Sequence, residues 1–160
     1  MKGHSKKEIE IISFLELEGK RFFTRADIKK FFRSRSSITF AIHKLKVKKR
    51  IIKINKYKYY LIPIHAFKGK WSEHPFILVD EIFNGKGYFI GGKGAAHYWG
   101  LIEQIPTEID VYSTTKQGKR KIFDTVINFR RIRKLENFVE GKIKDHKFKI
   151  ASKEMSKKWI

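Results

Sequence analysis

An α+β fold in two parts is what this sequence predicts, and three observations predict it. Over residues 1–63, three apolar stripes at helical spacing give way to two short β-rich runs, Ile51 to Ile54 and Tyr57 to Ile62. A stretch with two prolines and a glycine but no periodicity, PIHAFKGKWSEHP from Pro63 to Pro75, then breaks the pattern. Beyond it, short strands alternate with short helices. The expected boundaries are a first domain at 1–63, a linker at 64–71 and a small mixed α/β domain at 72–160.

Composition allows a core and points to a partner. Of 160 residues, 41% are hydrophobic and 14% aromatic, enough apolar surface to order a chain that is 33% charged. The 37 Lys and Arg outnumber 16 Asp and Glu, a formal charge of +21, which favours association with a polyanion. That excess is uneven: residues 1–63 hold 18 basic and 5 acidic side chains. Between Asp27 and Glu73 there is no carboxylate. The chain has no cysteine, so disulfides and thiolate metal sites are excluded. No apolar run approaches the roughly 20 residues that span a bilayer, and MKGHSKKEIE has no apolar signal region. A cytoplasmic protein without a membrane partner is the expectation.

The first helix starts at Ser5-Lys6-Lys7-Glu8, a capping box in which hydroxyl and carboxylate each satisfy a free backbone N–H. Ile9, Ile12 and Leu15, widened by Ile11 and Phe14, form its inward stripe up to Gly19. After Phe22-Phe23, Thr24 and Asp27 open a short second helix that buries Ile28, Phe31 and Phe32. A polar turn from Arg33 leads to a third helix starting at Ser36 or Ser37 and running to about Arg50. At 100° per residue, Ile38, Ala41, Ile42 and Leu45 share one side. Ser36, Thr39, Phe40, His43, Lys44 and Val47 share the other. Phe40 and Val47 are apolar within that polar face; a thymine methyl or a second protein could meet them, but the favoured expectation is that they pack beneath a neighbouring element.

A ribbon follows, with Asn55-Lys56 as its two-residue turn. That register sets Ile54 against Tyr57, Ile52 against Tyr59 and Lys53 against Lys58. Opposed lysines destabilise a sheet unless a phosphate lies between them. Three helices and a ribbon in this order are the parts of a winged helix-turn-helix, whose third helix enters the major groove of duplex DNA. In that arrangement Ser36, Ser37, Thr39, His43 and Lys44 meet base edges and adjoining backbone, while Arg33, Arg35, Lys46, Lys53, Lys56 and Lys58 hold phosphate.

In the second domain, Ser72 is the expected cap of a helix through Pro75, Phe76, Ile77, Leu78 and Ile82 that Asn84-Gly85 ends. Tyr88 to Ile90 reads as a strand, Gly91-Gly92 as a sharp turn and Lys93 to Trp99 as a helix stopped by Gly100. Further strands are expected at Glu108 to Tyr112, Ile122 to Ile132 and Lys147 to Ala151, with another at Phe138-Val139. Ser113 to Lys121 reads as a mobile basic hairpin tip. Ser152 caps a last helix with Met155 and Trp159 on one face; that face ends so soon that it suggests a truncated product or a docking surface.

Chemistry-bearing patterns are few. Gly91-Gly92-Lys93-Gly94 lacks the spacing and the Ser/Thr of a phosphate loop. The six histidines show no metal-binding spacing, and no cofactor is expected. An enzymatic alternative to DNA binding is a minimal nucleotidyltransferase, with Gly91-Gly92 cradling triphosphate and Glu108 and Asp110 on one strand face holding Mg²⁺. Asp124 is then the candidate third carboxylate. A third reading is an RNA-binding module, because a basic face alone does not separate A-form from B-form helices.

The segment YFIGGKGAAHYWGLIEQIPTEIDVYSTTKQGKRK, residues 88–121, resembles the AbiEi family of antitoxin transcriptional regulators through Tyr88, Gly91, Gly92, Ala95, Gly100, Leu101, Glu103, Gln104, Ile105 and Pro106. KFKIASKE, from Lys147 to Glu154, is similar to a later family segment. The resemblance implies a winged-helix repressor of a toxin-antitoxin or viral-defence operon, whose partner toxin is of nucleotidyltransferase type and which is not itself an enzyme. A DNA-binding transcriptional regulator is the resulting expectation; the sequence leaves its oligomeric state open.

Overall fold

A computed structural model of the chain describes residues 3–63 and 73–160. Its helices and two sheets make an α+β fold, divided into two compact units, Met1–Trp71 and Ser72–Ile160. The expected linker at 64–71 and the expected cap Ser72 lie outside the described residues. Among the described residues, no helix is long and apolar enough to cross a membrane.

The first unit runs α1 (Lys6–Leu17), β1 (Phe22–Thr24), α2 (Arg25–Ile28), a 3₁₀ turn (Lys29–Phe31), α3 (Arg35–Val47), β2 (Ile51–Lys53) and β3 (Lys58–Leu61). The Ser5–Glu8 capping box forms as expected. Ile11, Ile12 and Leu15 enter the core beside Ile28, Ile38, Ile42 and Leu45. Ile9 does not; it is 53% exposed, because the buried face of α1 is formed by Glu8, Ile11, Ile12 and Leu15 and Ile9 lies outside it. At the start of α2, Asp27 accepts hydrogen bonds from the Thr24 backbone N–H at 2.7 Å and hydroxyl at 3.1 Å.

The sheet has the order β1-β3-β2, all antiparallel. The ribbon needs a correction. Its pairs are Ile51–Leu61, Ile52–Tyr60 and Lys53–Tyr59, one residue away from the expected register. The turn is therefore wider than two residues. Asn55 explains why: its Oδ1 accepts the backbone N–H groups of Tyr57 and Lys58, both at 2.9 Å, so one side chain closes the loop where a tight turn would have needed glycine. Lys53 and Lys58 consequently fall on opposite sheet faces, with Lys58 paired to Thr24 of β1.

The second unit contains α4 (Pro75–Phe83), β4 (Tyr88–Gly91), α5 (Gly92–Tyr98), β5 (Glu108–Ser113), β6 (Gly118–Ile122), β7 (Thr125–Arg131), β8 (Phe138–Ile143), β9 (His146–Ala151) and α6 (Lys153–Ser156). One mixed sheet has the order β6-β7-β5-β4-β9-β8. His74 caps α4 with Nδ1 accepting from the Phe76 N–H at 3.2 Å, and Asn84 in the left-handed region ends it. Asp80 ties α4 to the sheet, accepting from the Tyr88 hydroxyl at 2.5 Å and lying 2.8 Å from His146 Nε2. Burial pushes the Tyr88 phenol above its ordinary value.

Two expectations change here. Gly118 to Lys121 are not part of a hairpin tip but form most of edge strand β6, paired with β7. The long strand expected from Ile122 is broken by a turn at Phe123, which has φ +54°, so Ile122 closes β6 and Thr125 opens β7. At the chain end, α6 spans four residues and a 3₁₀ turn (Lys157–Trp159) follows, so Met155 and Trp159 do not share one regular helix. Trp159 instead stacks on Tyr112, ring centroids 5.9 Å apart.

Candidate nucleic-acid interface

Helix α3 is shorter than expected at its end and begins earlier. Ser34, not Ser36 or Ser37, is its cap: Ser34 Oγ accepts the Ser37 backbone N–H at 3.3 Å and lies 2.8 Å from Ser37 Oγ and 3.1 Å from Ser36 Oγ. These three hydroxyls cluster at the end of the helix where free N–H groups carry partial positive charge. The helix stops at Val47, and Lys49 takes φ +57° beyond it.

The inward stripe holds Ile38, Ala41, Ile42 and Leu45, as the periodicity predicts. Arg35, Ser36, Ser37, Thr39, His43, Lys44 and Lys46 are all exposed, as is Arg33 before the helix. Phe40 and Val47 depart from expectation: among the described residues no element covers them, and they stand 60% and 57% exposed. Lys44 Nζ lies 4.6 Å from the Phe40 ring centroid, a cation–π contact on the outer surface.

Arg25, which no sequence pattern marks, belongs to this surface. From the first turn of α2 its guanidinium donates to Thr39 Oγ1 at 2.7 Å, and the Thr39 hydroxyl donates to the Arg35 carbonyl at 3.1 Å. Thr39 is thus held in one orientation by α2. The signal for Arg25 was its place at the start of a helix facing α3, a tertiary relation that periodicity does not encode.

The ribbon tip gathers Lys53 at the end of β2, Lys56 in the loop and Lys58 at the start of β3. Tyr57 joins them, 65% exposed, with Lys56 Nζ 5.4 Å from its ring centroid. The three lysines share the tip, but Lys53 and Lys58 lie on opposite sheet faces and are not directly opposed.

Not every cation of the basic stretch faces outward. Lys48 Nζ binds Glu8 Oε2 at 2.6 Å and the Gly3 carbonyl at 2.8 Å. Arg50 is buried, and burial lowers its pKa from the ordinary value. These two serve the fold of the unit, whereas the α3 face and the ribbon tip carry outward cations, as do Lys29, Lys30 and Lys49 elsewhere on the unit.

The second unit brings the other candidate residues together. Gly92, Lys93, Glu108, Asp110, Asn128 and Arg130 line one open cleft with Pro106 and Trp159. Alternation along β5 puts Glu108 and Asp110 on one side, and the parallel pairing of β5 with β7 sets Asn128 beside Asp110. Arg130 Nε donates to Asp110 at 2.9 Å, while Glu108 accepts from Asn128 Nδ2 at 2.6 Å and from Lys119 at 3.3 Å. The Lys119 and Asn128 hydrogen bonds hold the Glu108 carboxyl below its ordinary range. Each carboxylate has a protein partner, and Asn128 pairs with Asp110 across β5 and β7. Asp124, in the β6–β7 turn, does not line the cleft. Among the described residues, no group of three His, Cys, Asp or Glu could hold a metal ion.

No protein-family model matches the chain, and no curated protein matches it.

Proposed function

We propose that the first unit is a winged helix-turn-helix and that the protein is a cytoplasmic DNA-binding transcriptional regulator, a repressor that grips duplex DNA with α3 and a basic wing. One observation carries this reading. The outward face of α3 has no carboxylate, presents Ser36, Thr39, Phe40 and His43, and is flanked by Arg35, Lys44 and Lys46 in the same unit as the lysine-bearing ribbon tip. A protruding helix fits the B-form major groove, about 12 Å wide, and not the deep, narrow major groove of A-form RNA.

Within this proposal, Thr39, His43 and Lys44 meet base edges, with Arg25 fixing Thr39. Arg33, Arg35, Lys46, Lys53, Lys56 and Lys58 meet phosphates. Ser36 and Ser37 lie at the capped helix start, where the N–H groups and hydroxyls suit a phosphate oxygen. The resemblance around Gly91 and Pro106 extends the reading to an antitoxin whose partner toxin is of nucleotidyltransferase type.

A binding assay on duplexes selected from a random pool tests it. Thr39→Ala is expected to lower the preference for the selected duplex over random DNA by about tenfold, the worth of one good base contact. Equal losses on both would remove α3 as the reader. Duplex RNA as competitor is expected to displace the protein poorly; displacement as effective as that by DNA would favour the RNA-binding alternative. Supplying the protein is expected to reduce a reporter driven by its own promoter, and an unchanged reporter would overturn the repressor role.

A further inference from the structure

Phe40 stands out among the apolar residues of α3. The inward stripe leaves Ile38, Ala41, Ile42 and Leu45 at most 7% exposed, whereas Phe40 is 60% exposed on the opposite face. It is the sixth residue of the helix, about 9 Å along its axis, within the portion that a recognition helix inserts into the major groove. Thr39 and His43 lie beside it, and Lys44 holds an ammonium group against its ring. An exposed aromatic ring calls for an apolar partner. The surrounding cations, with no carboxylate anywhere on the helix, call for an anionic one.

The major groove of duplex DNA supplies both within one surface. Phosphates line its walls, and among the four bases thymine alone places an apolar group, its 5-methyl, on the groove floor. A protein partner would need a hydrophobic pocket set in an acidic rim to match the same face. We infer that Phe40 contacts a thymine methyl, so that part of the sequence preference of α3 comes from an apolar contact and not from hydrogen bonds. The inference rests on the DNA-binding reading above. It adds a chemical rule: the site contains a thymine whose methyl, not its hydrogen-bonding edge, is read.

Replacing thymine by deoxyuridine removes that methyl and leaves every hydrogen-bonding group and phosphate in place. Short duplexes recovered by selection from a random pool are resynthesised with each thymine changed to deoxyuridine in turn. The wild-type chain is expected to lose about fivefold in affinity at one or two positions, the worth of one buried apolar carbon. Phe40→Ala is expected to bind the thymine duplex more weakly and to treat thymine and deoxyuridine alike; Phe40→Leu keeps part of the distinction. Thermal unfolding of each variant checks that the exposed substitution leaves the fold intact. Equal wild-type binding to thymine and deoxyuridine duplexes would overturn the inference, as would a Phe40→Ala chain that still discriminates. Both results leave DNA binding standing. Failure of the wild-type chain to bind any duplex would instead remove the DNA reading and this inference with it.

Discussion

Glu8 shows how one buried side chain fixes the start of the first unit. Its Oε2 accepts from the Ser5 N–H at 3.0 Å and from Lys48 at 2.6 Å, and lies 3.3 Å from His4 Nδ1. Burial pushes this carboxyl up, yet the hydrogen bonds from Lys48, Ser5 and His4 together outweigh it and hold the group below its ordinary 4.5. A depressed carboxylate stabilises the fold above the unfolded-state pKa, and that contribution is lost as the pH falls through the lower folded-state value. Glu8→Gln is therefore expected to destabilise the first unit by roughly 2 kcal/mol at neutral pH, with the gap to wild type closing as the pH drops well below 4.5. Denaturant melts at several pH values read this directly, and a gap independent of pH would show that the charge is not the cause. Gly92 is as constrained: it has φ +61°, and a Cβ there would run into the Asp110 carboxylate. Gly92→Ala is expected to cost the second unit roughly 2 kcal/mol or more, measured by the same melts.

At the scale of elements, α1, α3 and α4 were legible because periodicity is local, although Ser34 caps α3 in place of Ser36 or Ser37 and His74 caps α4. The inward residues of α3 follow from spacing alone, and Ser5 as a cap follows from the capping box. What stayed hidden depended on partners distant in sequence. Strand β1 is three residues long and exists because β3 offers it an edge; Phe22-Phe23-Thr24 carries no alternation to reveal it. Strand β6 reads as a solvated loop because its exposed lysines are those of a protected sheet edge. The ribbon register hinges on Asn55, whose side chain replaces a tight turn, so Lys53 and Lys58 lie on opposite faces and share with Lys56 only the tip. Two variants separate these roles. Ser34→Ala removes the α3 cap and is expected to cost about 1 kcal/mol of stability. Asn55→Ala leaves two backbone N–H groups without their acceptor, and is expected to weaken DNA binding beyond its effect on stability because Lys53, Lys56 and Lys58 lose their arrangement. Full DNA affinity in Asn55→Ala would show that the tip does not act as an ordered wing.

Across the whole molecule, the formal charge of +21 is not one undifferentiated field. Lys48 and Arg50 are taken into the first unit, Lys119 and Arg130 are paired with carboxylates in the second, and the outward face of α3 with the ribbon tip keeps a surface without acid. Of the candidate site, the cations and the polar helix face were readable from composition and periodicity; Arg25 and the exposure of Phe40 were not, because both are set by how α2 and α3 pack. The central claim is that this surface binds the phosphates of duplex DNA. Its most direct test is the duplex association constant measured over a range of salt concentrations. With Arg33, Arg35, Lys46, Lys53, Lys56 and Lys58 as the phosphate-binding cations, the log–log slope is expected to fall between about −4 and −6, and Lys53→Ala or Lys56→Ala to reduce it by about 1 equally on all sequences. A slope near zero, or lysine variants that leave it unchanged, would contradict the account.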